Sequence, residues 1–385
     1  MTTVASRQVL VVQRRLTHYR VPFFELLRED LRAAGVLLRL AHGDPTPEEA
    51  TKRDSGALDW AQRLPTRYWL GGRVCWQPFF KAAEGADLTV VTAENKLVCN
   101  LAEQFGTAGR RVALWGHGGN LQGNARSLRE RFKARVAMRA DWWLAYTEMS
   151  RALVQSLGFP PERITVLNNA VDTTGLAAQF AAVQPQARES LRAELGLGDG
   201  PVGLYLGSLY AEKRIDWLLE AARCVRRQVP GFQLLVVGGG PQQAQVAEAA
   251  AREPWIKMLG TLKGADKVLA VSLADVYLHP GAVGLGVLDA FAAGLPMVTA
   301  ADARHGPEYA YLQPGRNSLV TSGGLPDFAD ACLALLRNST LRNQLARNCR
   351  DDAKRYTLAE MSTNFTRGVV GALAAPIRRG VRSAT

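Results

Sequence analysis

Cysteine is sparse in this chain of 385 residues. There are five (Cys75, Cys99, Cys224, Cys332 and Cys349), and none stands in a Cys-x-x-Cys spacing. An odd, scattered set supports neither a disulfide framework nor a zinc site. No uncharged apolar run approaches the roughly 18 residues that a membrane-crossing helix needs. The most apolar windows, near Val276–Leu288, are interrupted by Gly and Pro. The N-terminus lacks the basic, apolar and small-residue order of a secretory leader, so a cytoplasmic location is expected. There is no Asp-x-Asp, Gly-x-Ser-x-Gly, His-Glu-x-x-His or Gly-x-x-x-x-Gly-Lys-Ser/Thr. These absences set aside a metal-held diphosphate, a nucleophile elbow, a zinc peptidase and a P-loop NTPase. Acidic residues are outnumbered, 35 against 47 Lys and Arg, for a net charge of +12. Both halves are basic. Anionic lipid, nucleic acid or a phosphorylated substrate would each fit that charge, and so would a general bias toward Arg and Ala. Nucleic acid fits least, because the basic residues are not interleaved with an aromatic platform.

What is present reads as two α/β domains. Apolar runs at Gln8–Val12, Val36–Leu40, Asp87–Thr92, Arg111–Leu114, Trp143–Tyr146 and Ile164–Leu167 each end in a polar or Gly-rich turn. Pro22 stands where a helix's first turn would be, followed by Phe23, Leu26, Leu27 and Leu31 at helical spacing. A second set of runs starts near Val202. Strands alternating with helices predict doubly wound parallel sheets. The expected boundaries are 1–172 and 173–360, the first domain being completed by a C-terminal helix at about 361–385. Thr173–Pro201, with one short helical pattern at Ala187–Leu195, reads as the connection.

Three Gly-rich turns in the second half carry the chemistry. Gly207-Ser208-Leu-Tyr-Ala-Glu-Lys213-Arg214 follows a strand, and Lys213 there can set a point charge on a diphosphate. Phe232–Pro241 ends in three consecutive glycines. Gly281-Ala282-Val283-Gly284-Leu285-Gly-Val-Leu-Asp289 runs from a strand into a helix, the arrangement by which loop amides meet a phosphate. In the first half, Trp115-Gly-His117-Gly-Gly-Asn120 follows a strand, and a His in such a loop sits where parallel sheets place ligands. Thr17-His18-Tyr19-Arg20, Thr92-Ala-Glu94-Asn95-Lys96 and Tyr146-Thr-Glu148 also end strands; the carboxylates among them equally fit helix caps. Asn124–Ala140 is basic with an apolar stripe, and either lies on anionic membrane or packs on its own sheet.

These motifs together resemble the retaining GT-B glycosyltransferases of family GT4, specifically in the second half and more loosely in the first. The resemblance implies two Rossmann-like domains facing a central cleft. It also implies transfer of a sugar from a UDP- or GDP-sugar to a hydroxyl of a saccharide or lipid-linked acceptor, with retention and without a metal or other cofactor. Lys213 and His117 take catalytic roles. Gly207, Ser208, Lys213, Arg214, Gly281, Ala282, Val283, Gly284, Leu285 and Asp289 hold the donor, with Asp289 on the ribose hydroxyls. His18, Tyr19, Arg20, Glu94, Asn95, Asn120 and Glu148 face the acceptor. An anionic membrane surface is a further expected partner, through Arg126–Arg139. Two departures stand out: Ser208 replaces the family's Arg, and Gly281 replaces its first Glu. They leave open a non-enzymatic nucleotide-binding or scaffold protein. A UDP-sugar epimerase is a third reading, with Glu94, Glu148 and Glu308 as its carboxylates.

Overall fold

The computed structural model describes residues 6–50, 54–94, 96–106, 110–118, 135–136 and 138–378. Asn95, Asn120 and most of the basic segment Arg126–Arg139 lie outside the described residues. The chain divides into two compact units, Met1–Val171 with Leu358–Thr385, and Asp172–Thr357.

Unit 1 begins with β1 (Arg7–Gln13), α1 (Val21–Ala33), β2 (Val36–His42), α2 (Pro47–Ala50), β3 (Gln62–Arg63), β4 (Arg67–Trp69) and β5 (Val74–Trp76). It continues through β6 (Leu88–Thr92), α3 (Val98–Gly106), β7 (Arg111–Gly116), β8 (Trp142–Ala145), α4 (Glu148–Ser156) and β9 (Ile164–Val166). Seven strands form one sheet in the order β3-β2-β1-β6-β7-β8-β9, and β4 and β5 form a separate antiparallel hairpin. The seven-stranded sheet is parallel throughout. Its central strands read as continuous apolar runs because helices cover both faces. Leu10, Val12, Val91, Leu114 and Trp143 lie in one buried cluster. The C-terminal helix Leu358–Ala374 packs on α1, with Phe365 against Phe23 and Trp115 at ring separations of 5.8 and 5.1 Å.

Unit 2 opens with two helices, α5 (Thr173–Ala181) and α6 (Pro185–Glu194). The stretch read as a connection is therefore largely helical. Asp172 caps α5 by accepting from the Gly175 N–H at 2.8 Å, and Pro185 starts α6. Next come β10 (Val202–Leu206), α7 (Ile215–Gln228), β11 (Gln233–Val237), α8 (Gln243–Arg252), β12 (Ile256–Gly260), α9 (Gly264–Val271), β13 (Val276–His279), α10 (Gly286–Ala293), β14 (Met297–Ala300), β15 (Ser318–Thr321), α11 (Leu325–Arg337) and α12 (Ser339–Arg355). The six parallel strands run β12-β11-β10-β13-β14-β15. Helix α7 turns Ile215, Leu218, Leu219, Ala222 and Val225 onto them.

The strand order reverses direction between β1 and β6 in unit 1, and between β10 and β13 in unit 2. In parallel sheets the crevice beyond the strand ends at such a point binds ligands. The loops after β10 and β13 are those carrying Lys213 and Gly281. Among the described residues no helix is long and apolar enough to cross a membrane.

Candidate active site

The loop after β10 is held open by glycines. Gly207 has φ +154, its N–H donates to the Val237 carbonyl at 2.9 Å, and a side chain on Gly238 would run into its own carbonyl. Ser208 is exposed, and its carbonyl accepts from the Tyr205 hydroxyl at 2.9 Å. A 3-10 turn at Ala211–Lys213 follows. Its end meets the loop after β13 at close range. The Ala282 N–H donates to the Glu212 carbonyl at 2.8 Å, and the Lys213 ammonium donates to the Ala282 carbonyl. Burial lowers the pKa of Lys213, against the opposing charges of Glu308 and Glu212. An ammonium has three N–H groups. One is on Ala282.

Two donor-side expectations fall on groups that already have partners within unit 2. Arg214, weighed as a second cation, forms a forked pair with Asp302 (2.7 and 3.2 Å) and lies over the Trp217 ring at 4.7 Å. Its guanidinium is thereby committed within its own surroundings. The loop amides are also not all available. Ala282 uses its N–H on Glu212, and the Val283 N–H donates to Nδ1 of His305 at 3.2 Å. Among the described residues Gly284 and Leu285 make no backbone hydrogen bond through their N–H groups, and Leu285 caps α10 without a side-chain bond. Bare amides at a helix start attract anions through their own donors and the helix dipole. Asp289, in the first turn of α10, accepts from Lys267 of α9 at 2.6 Å.

Two imidazoles brace this loop, and neither was singled out in the sequence. Nε2–H of His279 donates to the Ala282 carbonyl at 2.9 Å, and its ring stacks on Tyr205 at 5.4 Å. Nε2–H of His305 donates to the Ala300 carbonyl at 2.9 Å, while the ring stacks on Tyr309 at 3.8 Å. Burial, aided by the Lys213 charge, pushes His279 down to about 3, and burial pushes His305 down to about 4. Both are neutral in the folded state at pH values where the unfolded imidazole, near 6.5, takes up a proton. Unfolding then binds protons, and stability rises with pH across that window. Acidification from pH 6.5 to 5 is expected to lower the denaturation midpoint of unit 2, measured with an intrinsic probe in that unit. A flat midpoint would remove the two neutral imidazoles from the picture.

In unit 1, His117 is exposed at the end of β7, its ring 4.5 Å from that of Tyr146. Gly118 beside it has φ +88 and no room for a side chain against Val154 and Ser150. His18 is exposed, with its ring bonded to the Asp54 carbonyl at 3.1 Å, and Tyr19 is half-buried beside it. Arg20, expected on the acceptor, is buried. It donates to Asn169 at 2.5 Å and to the Ala170 carbonyl, joining the Asn168–Asn169 turn to the loop after β1. Glu94 pairs with Lys96 at 3.2 Å and Arg14 at 3.6 Å; Glu148 pairs with Arg151 at 3.3 Å. A network unread in the sequence lies at the end of β1: Arg14 forks onto Glu49 (2.6 and 2.7 Å), and Arg15 onto Asp54 (2.6 and 3.0 Å). Hydrogen bonds from Arg14 bring Glu49 down to about 2. Among the described residues no three His, Cys, Asp or Glu side chains are gathered as a metal site.

Residues 200–338 match the family model described as Glycosyl transferases group 1. The chain is 32% identical over 176 residues to phosphatidyl-myo-inositol mannosyltransferase of Mycobacterium leprae, covering 44% of this chain and 46% of that protein. It is 28% identical over 197 residues to alpha-D-kanosaminyltransferase of Streptomyces kanamyceticus, covering 47% and 48%. The chain thus matches about half the length of these relatives. Among solved structures it is similar to Anabaena HepE in complex with UDP, with TM-score 0.69 at 16% identity, covering 94% of this chain and 99% of that one. A glycosyltransferase from Rickettsia africae gives TM-score 0.70 at 13% identity, covering 96% and 100%. Two Rossmann-like units, similar along nearly their whole length to these solved structures, give the chain the GT-B fold, and the part of it that holds the Lys213 and Gly281 loops matches the group 1 glycosyl transferase model.

Proposed function

We propose that this protein is a retaining glycosyltransferase. It takes a sugar from a UDP- or GDP-sugar and places it on a hydroxyl of a saccharide or lipid-linked acceptor, in the synthesis of a cell-surface polysaccharide or glycolipid. The observation that carries the reading is the meeting of the Lys213 turn with the loop after β13. A half-buried ammonium stands there beside the amides of Gly284 and Leu285 that precede α10. Negative charge developing on a departing nucleoside diphosphate would find fixed donors that need no reorganisation. The HepE structures in complex with UDP and with UDP-glucose support a nucleotide-sugar as the donor class. In this reading His117 contacts the donor sugar, the leaving phosphate helps deprotonate the acceptor, and no metal is required.

A panel of UDP-, GDP- and ADP-sugars tests the proposal, by thermal shift and by slow donor hydrolysis. One donor at 100 times its Kd should stabilise the fold by about 2.7 kcal/mol. No shift with any donor would sink the reading. A nucleotide-induced shift with neither hydrolysis nor transfer would favour a non-catalytic nucleotide-binding protein, a reading that the commitment of Arg214 to Asp302 supports.

Asp289 provides a second test. If it accepts the ribose hydroxyls, Asp289→Ala should weaken nucleoside diphosphate binding by roughly 1.5–3 kcal/mol, the worth of a charge-assisted bond or two. Its pairing with Lys267 means the measurement belongs in the Lys267→Ala background as well. Loss of the ion pair is then separated from loss of the acceptor. Equal calorimetric affinities with and without Asp289 in both backgrounds would leave it only a helix-start residue.

A further inference from the structure

The β4–β5 hairpin of unit 1 has no part in the donor or acceptor roles above. Its register sets Arg67 opposite Trp76, Tyr68 opposite Cys75, and Trp69 opposite Val74. Strand alternation sorts these pairs onto two faces. Tyr68 and Cys75 face inward. Cys75 is fully buried, and the Tyr68 hydroxyl donates to the Asp44 carbonyl at 2.6 Å and accepts from Arg14 at 3.2 Å. Arg67, Trp69, Val74 and Trp76 share the other face. Trp69 is 47% exposed, Trp76 39%, and Leu70 at the tip 75%. Of the nine large apolar side chains exposed among the described residues, three, Trp69, Leu70 and Trp76, belong to this ten-residue hairpin.

The tip adds an independent observation. Leu70 has φ +52, a left-handed conformation that suits Gly or Asn and disfavours Leu. At its exposure, burial in the core does not compensate. A leucine held outward against its backbone preference is a feature that the fold itself does not need. In the hairpin Arg67 and Arg73, and five residues beyond it Lys81, are exposed and form no ion pair among the described residues. A second copy of the same hairpin would bring like charges to such a rim.

We propose that this hairpin docks unit 1 on an anionic bilayer. Trp69, Leu70 and Trp76 enter the interfacial layer, and Arg67, Arg73 and Lys81 meet lipid phosphates. Indole rings favour that layer because one part is apolar and the N–H stays wet, and each basic residue near an acidic surface adds attraction. The idea deepens the reading of a lipid-linked acceptor, since Tyr68 ties the inner face of the hairpin to Arg14 at the end of β1. It is tested without any sugar transfer, so its failure would leave the donor-side reading standing.

The test is flotation of the full chain with phosphatidylcholine vesicles, with and without phosphatidylglycerol. Binding should require phosphatidylglycerol and fall with salt. Trp69→Ser with Leu70→Ser should weaken it at least about tenfold, as should replacing Arg67, Arg73 and Lys81 by Gln. Leu70→Asn guards against mere unfolding: Asn suits the left-handed tip, so melting temperature should hold or rise while vesicle binding falls. No flotation, or variants floating like the original chain, would overturn the proposal. So would a dimer in sedimentation velocity that the Trp69→Ser and Leu70→Ser pair dissolves, because the face would then belong to a second copy.

Discussion

Lys213→Ala is expected to leave unit 2 folded and to slow sugar transfer by about 2–4 kcal/mol in transition-state free energy, the range for one preorganised charge-stabilising donor. The fold survives because the Ala282 carbonyl keeps its other donor, Nε2–H of His279 at 2.9 Å. The ammonium is opposed by Glu308 and Glu212, so the variant's denaturation midpoint is measured beside its turnover to separate a stability cost from lost transfer. The transfer loss is large because Arg214, the adjacent cation in sequence, is occupied by Asp302. Unchanged turnover in a well-folded variant would end the assignment.

The pKa direction adds a pH signature. Diphosphate binding uses the charged form of Lys213, and burial lowers its pKa below the ordinary 10.5. Nucleoside diphosphate affinity should therefore fade on the alkaline side at a lower pH than a solvated lysine would give. Stability moves the other way. Between the lowered folded pKa and 10.5 the unfolded chain binds the extra proton, so this group's contribution to stability rises with pH. The Lys213→Ala variant should lose both the alkaline limb of binding and this rise.

The interior strands were readable because burial on two faces leaves runs such as Val202–Leu206 and Gln233–Val237, each closed by glycine. The Lys213 and Asp289 loops were readable for the same reason: they are the turns that such strands must make. Helix α5 was harder. Thr173–Ala181 opens with Thr-Thr-Gly and buries only Thr173 and Leu176, so its sequence carries little helical period. Hairpin β4–β5 has strands of three residues each, too short for alternation to show. The Arg14–Glu49 and Arg15–Asp54 pairs join residues 35 and 39 positions apart, a separation at which charge pattern gives no signal. His279 and His305 were invisible as a pair, since only the folded loop brings both to Ala282 and Val283. Arg20 was visible in its motif but its partner was not: a motif gives residue type and rough position, whereas the direction of a long side chain depends on Asn169, far along the chain.

Gly281 yields the prediction that sequence alone would have reversed. Against the resembled family it reads as a missing carboxylate, so Gly281→Glu should restore a contact to the donor sugar. The packing points the other way. A Cβ on Gly281 would fall within the backbone of Lys213 and against the Glu212 carbonyl, atoms fixed by the Ala282 N–H bond to Glu212. Backbone cannot yield as the end of a flexible side chain can. Gly281→Glu is therefore expected to destabilise unit 2 by at least about 3 kcal/mol, the upper end for overpacking a rigid site. Donor affinity should fall as Lys213 is displaced. Gly284, three residues on in the same loop, is the control. Nothing lies within 4 Å of a Cβ there, and its φ is not in the left-handed region. Gly284→Ala should change stability by no more than about 0.5 kcal/mol. Denaturant midpoints for the two variants decide the matter. A stable Gly281→Glu protein that gains donor affinity would show that the Lys213 turn stands clear of residue 281. A Gly281→Glu protein that unfolds easily beside an unaffected Gly284→Ala would make the glycine a requirement of close approach: this chain would have exchanged a carboxylate at position 281 for the seat of its own Lys213.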